Sequence, residues 1–178
     1  VVVVGAPGFD SSAGTARVYQ YLSDEWKQLG NVSDMSGNTD NFAGLSCDIN
    51  GEGNVVVVGA PGTVDLYQGY AKVYDYNTTQ SKWYLRRSKI FDLSDNSSKG
   101  YSTAINSNGT VVASGDKFKS RGRYGVSFAP PPIDGLVNSQ YMYGARGVAY
   151  DSARQYAYVA GYVSDSLAVV DVSNTAAP

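Results

Sequence analysis

Three aspartates, Asp10, Asp65 and Asp116, stand in corresponding loops behind three apolar runs, and carboxylates gathered in this way are the equipment of glycoside hydrolysis. Their spacing marks no particular acid/base pair, and Asp-rich segments are also ordinary turns. If the fold brings these loops to one face, they are candidate ligand-binding loops. The sequence contains no histidine, which removes imidazole acid/base chemistry, His-activated nucleophiles and every His-containing zinc site. Cys47 lies between Ser46 and Asp48 without an imidazole to activate it, so it reads as a structural thiol. As the one cysteine of the chain, it cannot form an intrachain disulfide. No catalytic residue is assigned.

Four Asn-x-Ser/Thr sequons occur, at Asn31, Asn77, Asn96 and Asn108, all between expected strands where a glycan could project into solvent. Lys117, Lys119, Arg121 and Arg123 form one basic run, and Arg86, Arg87 and Lys89 another. Either is a solvated surface or a contact for phosphate or sulfated glycan. Tyr141, Tyr143, Tyr156, Tyr158 and Tyr162 suit half-exposed strands and would also make a sugar-stacking platform. A net charge of −2 with 17% charged residues provides no field for nucleic acid or an anionic membrane. Apolar runs such as Val55 to Ala60 fall far short of the ~20 residues of a membrane helix, so no membrane insertion is expected of this segment.

The elements that must position these groups are visible in a repeat. Val1 to Gly8, VVVVGAPG, returns unchanged as Val55 to Gly62, with a degenerate third copy from Val111. Behind each copy come Gly14 to Tyr21 and Gly69 to Tyr76, then strands bearing Trp26 and Trp83, then Gly44 to Asn50 and Gly100 to Asn106. Alternation of small or apolar with polar residues predicts strands with one buried face, while the valine runs have no polar face and need cover on both sides. Asn, Asp, Ser and Gly clusters punctuate the chain at short intervals, and no helix is predicted. About four antiparallel strands per unit is the content of one β-propeller blade. The fold class expected is therefore all-β, built of propeller blades that form a partial ring or one completed by other chains. Val1 opens the sequence inside an apolar run with no leader before it, so a natural start further upstream is expected. Residues 129–135 are a Pro-rich connection, and a different blade type is expected over 136–178.

Residues 1–128, with units starting near 1, 55 and 111, resemble the FG-GAP and FG-GAP-like repeats of integrin α-type propellers. Phe42-Ala43-Gly44, Asp48 to Asn54, Val55 to Val58 and Gly59 to Gly62 carry the resemblance. The tail, from Arg146 through Tyr156 to Ala160 and Leu167 to Asn174, is similar to the LVIVD repeat of surface proteins. Both resemblances imply propeller blades of extracellular proteins. In FG-GAP proteins the loop before the apolar strand often binds calcium through side-chain oxygens. Carried over, the ligands would be Asp48, Asn50 and Glu52, with Val56 standing where a further acidic ligand is expected. The alternative is a Gly-rich hairpin turn at the same residues. The function expected is that of a non-enzymatic secreted or cell-surface β-propeller glycoprotein mediating protein or glycan binding or extracellular assembly, with calcium as the candidate cofactor and protein, glycan or further chains as partners. A fibre subunit and a carbohydrate-active enzyme using loop carboxylates are the alternatives.

Overall fold

Valine, tyrosine and alanine at alternating positions, interrupted by Asn- and Gly-containing turns, produce an all-β chain. The computed structural model describes residues 1–63, 69–87, 98–116, 127–129, 145–151, 153–161 and 166–171. Within them the first sheet holds β1 (Val2–Ala6), β2 (Thr15–Leu22) and β3 (Glu25–Leu29). A four-stranded sheet follows, in the order β4 (Ser46–Ile49), β5 (Val55–Ala60), β6 (Tyr70–Asn77) and β7 (Lys82–Arg87). The third contains β8 (Lys99–Ile105), β9 (Val112–Asp116) and β10 (Ser127–Ala129). The last is a meander of β11 (Ala145–Asp151), β12 (Tyr156–Gly161) and β13 (Ser166–Asp171). Every strand pair in these sheets is antiparallel. The Pro-rich connection lies outside the described residues, except for Ala129 at the end of β10.

Sheet boundaries fall one strand earlier than the boundaries of the sequence repeat. The Gly44 to Asn50 segment, which closes a unit in the sequence, supplies β4 and pairs with the valine strand β5 of the next unit. Turn length explains this. Asn50 and Val55 are close enough for a tight antiparallel hairpin, whereas the longer stretch from Leu29 to Ser46 crosses from one sheet to the next. That crossing contains a structure the sequence reading did not expect, a 3-10 turn at Val32–Met35. Asp34 Oδ2 accepts the Asn31 N–H at 3.0 Å there, and Met35 is buried beneath it.

The sheets stack face to face. Ala16, Val18 and Met35 of the first unit bury against Val56, Val58, Ala60, Tyr70, Tyr74 and Trp83 of the second sheet. The opposite face of that sheet, through Val55, Val57, Ala71 and Val73, packs on Ile105 and Val112 of the third. Thus β5 is covered on both faces, as its unbroken apolar sequence demands. Gly44 and Gly100 hold equivalent close approaches, each at φ +83°. A Cβ on either would collide with a backbone carbonyl oxygen, that of Thr15 or of Tyr70, so both the dihedral and the space require glycine.

Candidate functional site

The hairpin Asn50 to Asn54 is closed by its own side chains. Asn50 Oδ1 accepts the Asn54 N–H at 3.0 Å and the Val55 N–H at 2.8 Å, while the Asn50 backbone N–H donates to Val55 O at 3.0 Å. Asn106 repeats the arrangement one unit on, accepting from Thr110 N and Val111 N, both at 2.8 Å. Gly53 and Gly109 each occupy φ +72° at the equivalent corner. The two turns also touch, because Gly51 N–H donates to Ser107 O at 2.9 Å.

The three residues put forward as calcium ligands each have a separate employment. Asp48 Oδ1 accepts the Ile49 N–H and Oδ2 accepts the Ile105 N–H, both at 2.9 Å, so this carboxylate staples β4 to β8 of the following sheet. Asn50 Oδ1 is engaged by its turn, and Glu52 Oε2 accepts from Asn54 Nδ2 at 2.9 Å. The described residues hold no cluster of three His, Cys, Asp or Glu side chains that could bind a metal. Cys47, on the same strand as Asp48, is partly buried. Burial raises its pKa, the Asp48 carboxylate adds to the rise, and a hydrogen bond from the Gly5 backbone opposes it. The group is consequently a thiol, a poor nucleophile, at neutral pH.

Asp10 is exposed in the turn Phe9–Ser12, where Asp10, Ser11 and Ser12 all have positive φ. Asp116 closes β9, paired in register with Lys99. Asp65 lies outside the described residues, as do Asn96, the basic run from Lys117 to Arg123, Lys89, Tyr141, Tyr143 and Tyr162. Of the other sequon asparagines, Asn31, Asn77 and Asn108 are all exposed. Asn77 Oδ1 accepts the Gln80 N–H at 3.0 Å, and Asn108 Oδ1 accepts the Thr110 N–H at 3.2 Å. Arg86 pairs with Asp75 across β6 and β7 and donates to Gly109 O at 2.7 Å, joining the second sheet to the third unit's turn. Its basic group is thereby engaged in structure. Tyr156 and Tyr158 stand on β12, half-buried.

Sequence reasoning missed a concave surface on the first sheet. A cavity of about 490 Å3 is lined by Val4, Ala6, Gly8, Phe9, Arg17 and Tyr19. Arg17 lies over the Phe9 ring, 5.2 Å from its centroid, and its Nε is buried without a hydrogen-bond partner. On the same sheet Trp26 leans on Tyr21 with centroids 5.3 Å apart. This repeats the Trp83 and Tyr76 pair at 4.9 Å, yet Trp26 is 55% exposed and Trp83 2%. The sequence carried no signal for this difference, because the two copies of the valine strand are identical and only their surroundings differ.

The fold and these surfaces define an all-β protein of stacked antiparallel sheets. No protein-family model matches the chain, and no curated protein does. Among solved structures it is similar to "Kuenenia stuttgartiensis Hydrazine Synthase", with a TM-score of 0.56 and 12% sequence identity over 96% of this chain. The chain spans about half of that protein's chain, 55%, and the likeness concerns the fold alone. Among the described residues no helix is long and apolar enough to cross a membrane.

Proposed function

We propose that the chain is a run of β-propeller blades in a secreted or cell-surface glycoprotein, and that it works by binding or assembly rather than by catalysis. The observation that carries this reading is the reuse of one octapeptide, VVVVGAPG, as β1 and β5 of consecutive stacked sheets, followed each time by a Tyr–Trp pair. Regular stacking of like sheets is the construction principle of propellers and of other repeat arrays. Support for a glycoprotein comes from the exposure of Asn31, Asn77 and Asn108 on turns and strand ends. Support for a non-catalytic role comes from the absence of histidine in the sequence and from the structural employment of Asp48, Asn50, Glu52 and Arg86.

The test is a paired assay on protein made through a eukaryotic secretory pathway. Glycan and cell-surface binding is measured alongside hydrolysis of a panel of chromogenic glycosides, and glycans are mapped by mass spectrometry. Binding without turnover, with a glycan on at least one of Asn31, Asn77 and Asn108, is the expected result. Turnover that disappears in Asp10→Asn, Asp65→Asn or Asp116→Asn would sink the non-enzymatic reading in favour of a carbohydrate-active enzyme.

A further inference from the structure

One face of the first sheet has a buried twin inside the same chain. Residue by residue along the repeat, Val2, Val4, Tyr21 and Trp26 correspond to Val56, Val58, Tyr76 and Trp83. In the second sheet Val56, Val58 and Trp83 are buried against the first sheet, with Tyr76 packed on the same cluster. In the first sheet their counterparts face nothing: Val2 is 40% exposed, Val4 50%, Tyr21 52% and Trp26 55%. The cavity of Val4, Phe9, Arg17 and Tyr19 lies on this bare side, and β1 is the end strand of its sheet where β5 has β4 beside it.

We propose that this face docks a further β-sheet of the same repeat, one that brings a turn of the Asn31-to-Asp34 kind against Trp26. The internal interface shows the chemistry such a partner must offer. Trp83 Nε1–H donates to Leu29 O at 2.9 Å, its backbone N–H donates to Asp34 Oδ2 at 2.9 Å, and Gly30 leaves room for the ring. Trp26 already leans on Tyr21 as Trp83 leans on Tyr76, so its indole N–H is set for a carbonyl acceptor in the place of Leu29 O. An aromatic anchor ringed by apolar neighbours and holding an unused N–H is the usual core of a specific interface. Among the described residues of a second copy, the one turn of this kind, Asn31 to Asp34, is occupied by that copy's own Trp83, which favours a further sheet of the repeat as the occupant. The partner is therefore a sheet carrying a free turn of this type together with Ala, Val and Met at the positions of Ala16, Val18 and Met35.

The inference rests on the reading of the chain as stacked repeat sheets, but its test is independent of the binding and turnover assays above. Residues 1–54 are duplicated directly ahead of Val1, which recreates the Asn54-to-Val55 junction, and the duplicate carries Trp26→Phe. Hydroxyl-radical footprinting then reads the oxidation rate of the original Trp26, with Trp83 as the internal standard. The rate should fall by roughly tenfold or more towards that of Trp83, as the contrast between 55% and 2% exposure requires. Asp34→Ala in the duplicate should restore part of it while the β-sheet circular dichroism remains. An unchanged Trp26 rate beside a folded duplicate overturns the proposal. So does a duplicate that stays unfolded next to an intact chain, since the face is then insufficient to order its partner. Concentration-dependent masking of Trp26 in the unextended chain, with dimers on sedimentation, also overturns it, by assigning the face to a second copy.

Discussion

Single residues in this chain take their energetic weight from surroundings rather than from type. Trp83 and Trp26 occupy the same place in the repeat, yet only Trp83 fills a dry pocket and satisfies its indole N–H. Trp83→Ala is expected to cost about 3–5 kcal/mol in urea denaturation, and Trp26→Ala no more than about 0.5–1 kcal/mol. Equal losses would show that the first sheet is covered in solution. Asn50→Ala and Asn106→Ala each strip an acceptor from two backbone amides at a buried corner. A loss of about 1–3 kcal/mol apiece is expected, measured as a shift of the denaturation midpoint at constant slope. Because the oxygens of Asp48, Asn50 and Glu52 are engaged by N–H donors, adding calcium or a chelator should leave the melting temperature unchanged in differential scanning calorimetry. A rise of several degrees with calcium would show those donors displaced by the ion.

Elements were legible in the sequence wherever the signal was local. The Tyr and Trp strands stand where alternation and the turn residues predicted them, and the valine strands where the unbroken apolar runs did. The 3-10 turn Val32–Met35 was not legible, since four residues are too few to show a helical period. The boundary of each sheet was also hidden, because a repeat reads the same from any starting strand, and only pairing shows that β4 belongs with β5. Strand β6 supplies an alkaline limit to stability. Burial raises the pKa of Tyr70, and burial together with the Tyr70 charge raises that of Tyr74, both from an ordinary value of 10. A raised folded-state pKa means that the folded form holds the proton more tightly, so its contribution is complete below pH 10 and is lost as pH climbs beyond it. The tyrosine contribution to the denaturation midpoint should therefore hold steady up to about pH 10 and fall above it. Tyr74→Phe should flatten that fall, and an unaltered slope would place the titration elsewhere.

For the molecule as a whole, stacking makes stability a property of neighbours. Identical octapeptides provide a direct measure, since Val56, Val57 and Val58 lie between two sheets while Val2 and Val4 lie on an open face. Amide exchange on the native protein should be faster at Val2–Val4 than at Val56–Val58, by about tenfold or more, and equal protection would show the first sheet to be as well supported as the second. By itself the amino-acid sequence determined an all-β chain, the positions of its strands and the existence of the repeat, because alternation and turn chemistry act over a few residues. It also determined that histidine-dependent chemistry is excluded, since that follows from composition. Only the tertiary structure decided that Asp48 staples two sheets, that Asn50 and Asn106 close matching turns, and that Trp26 is bare where Trp83 is buried. The physical reason is that burial and hydrogen-bond partners are set by segments distant in the chain, so two copies of VVVVGAPG become a core strand and a surface strand without any difference in sequence.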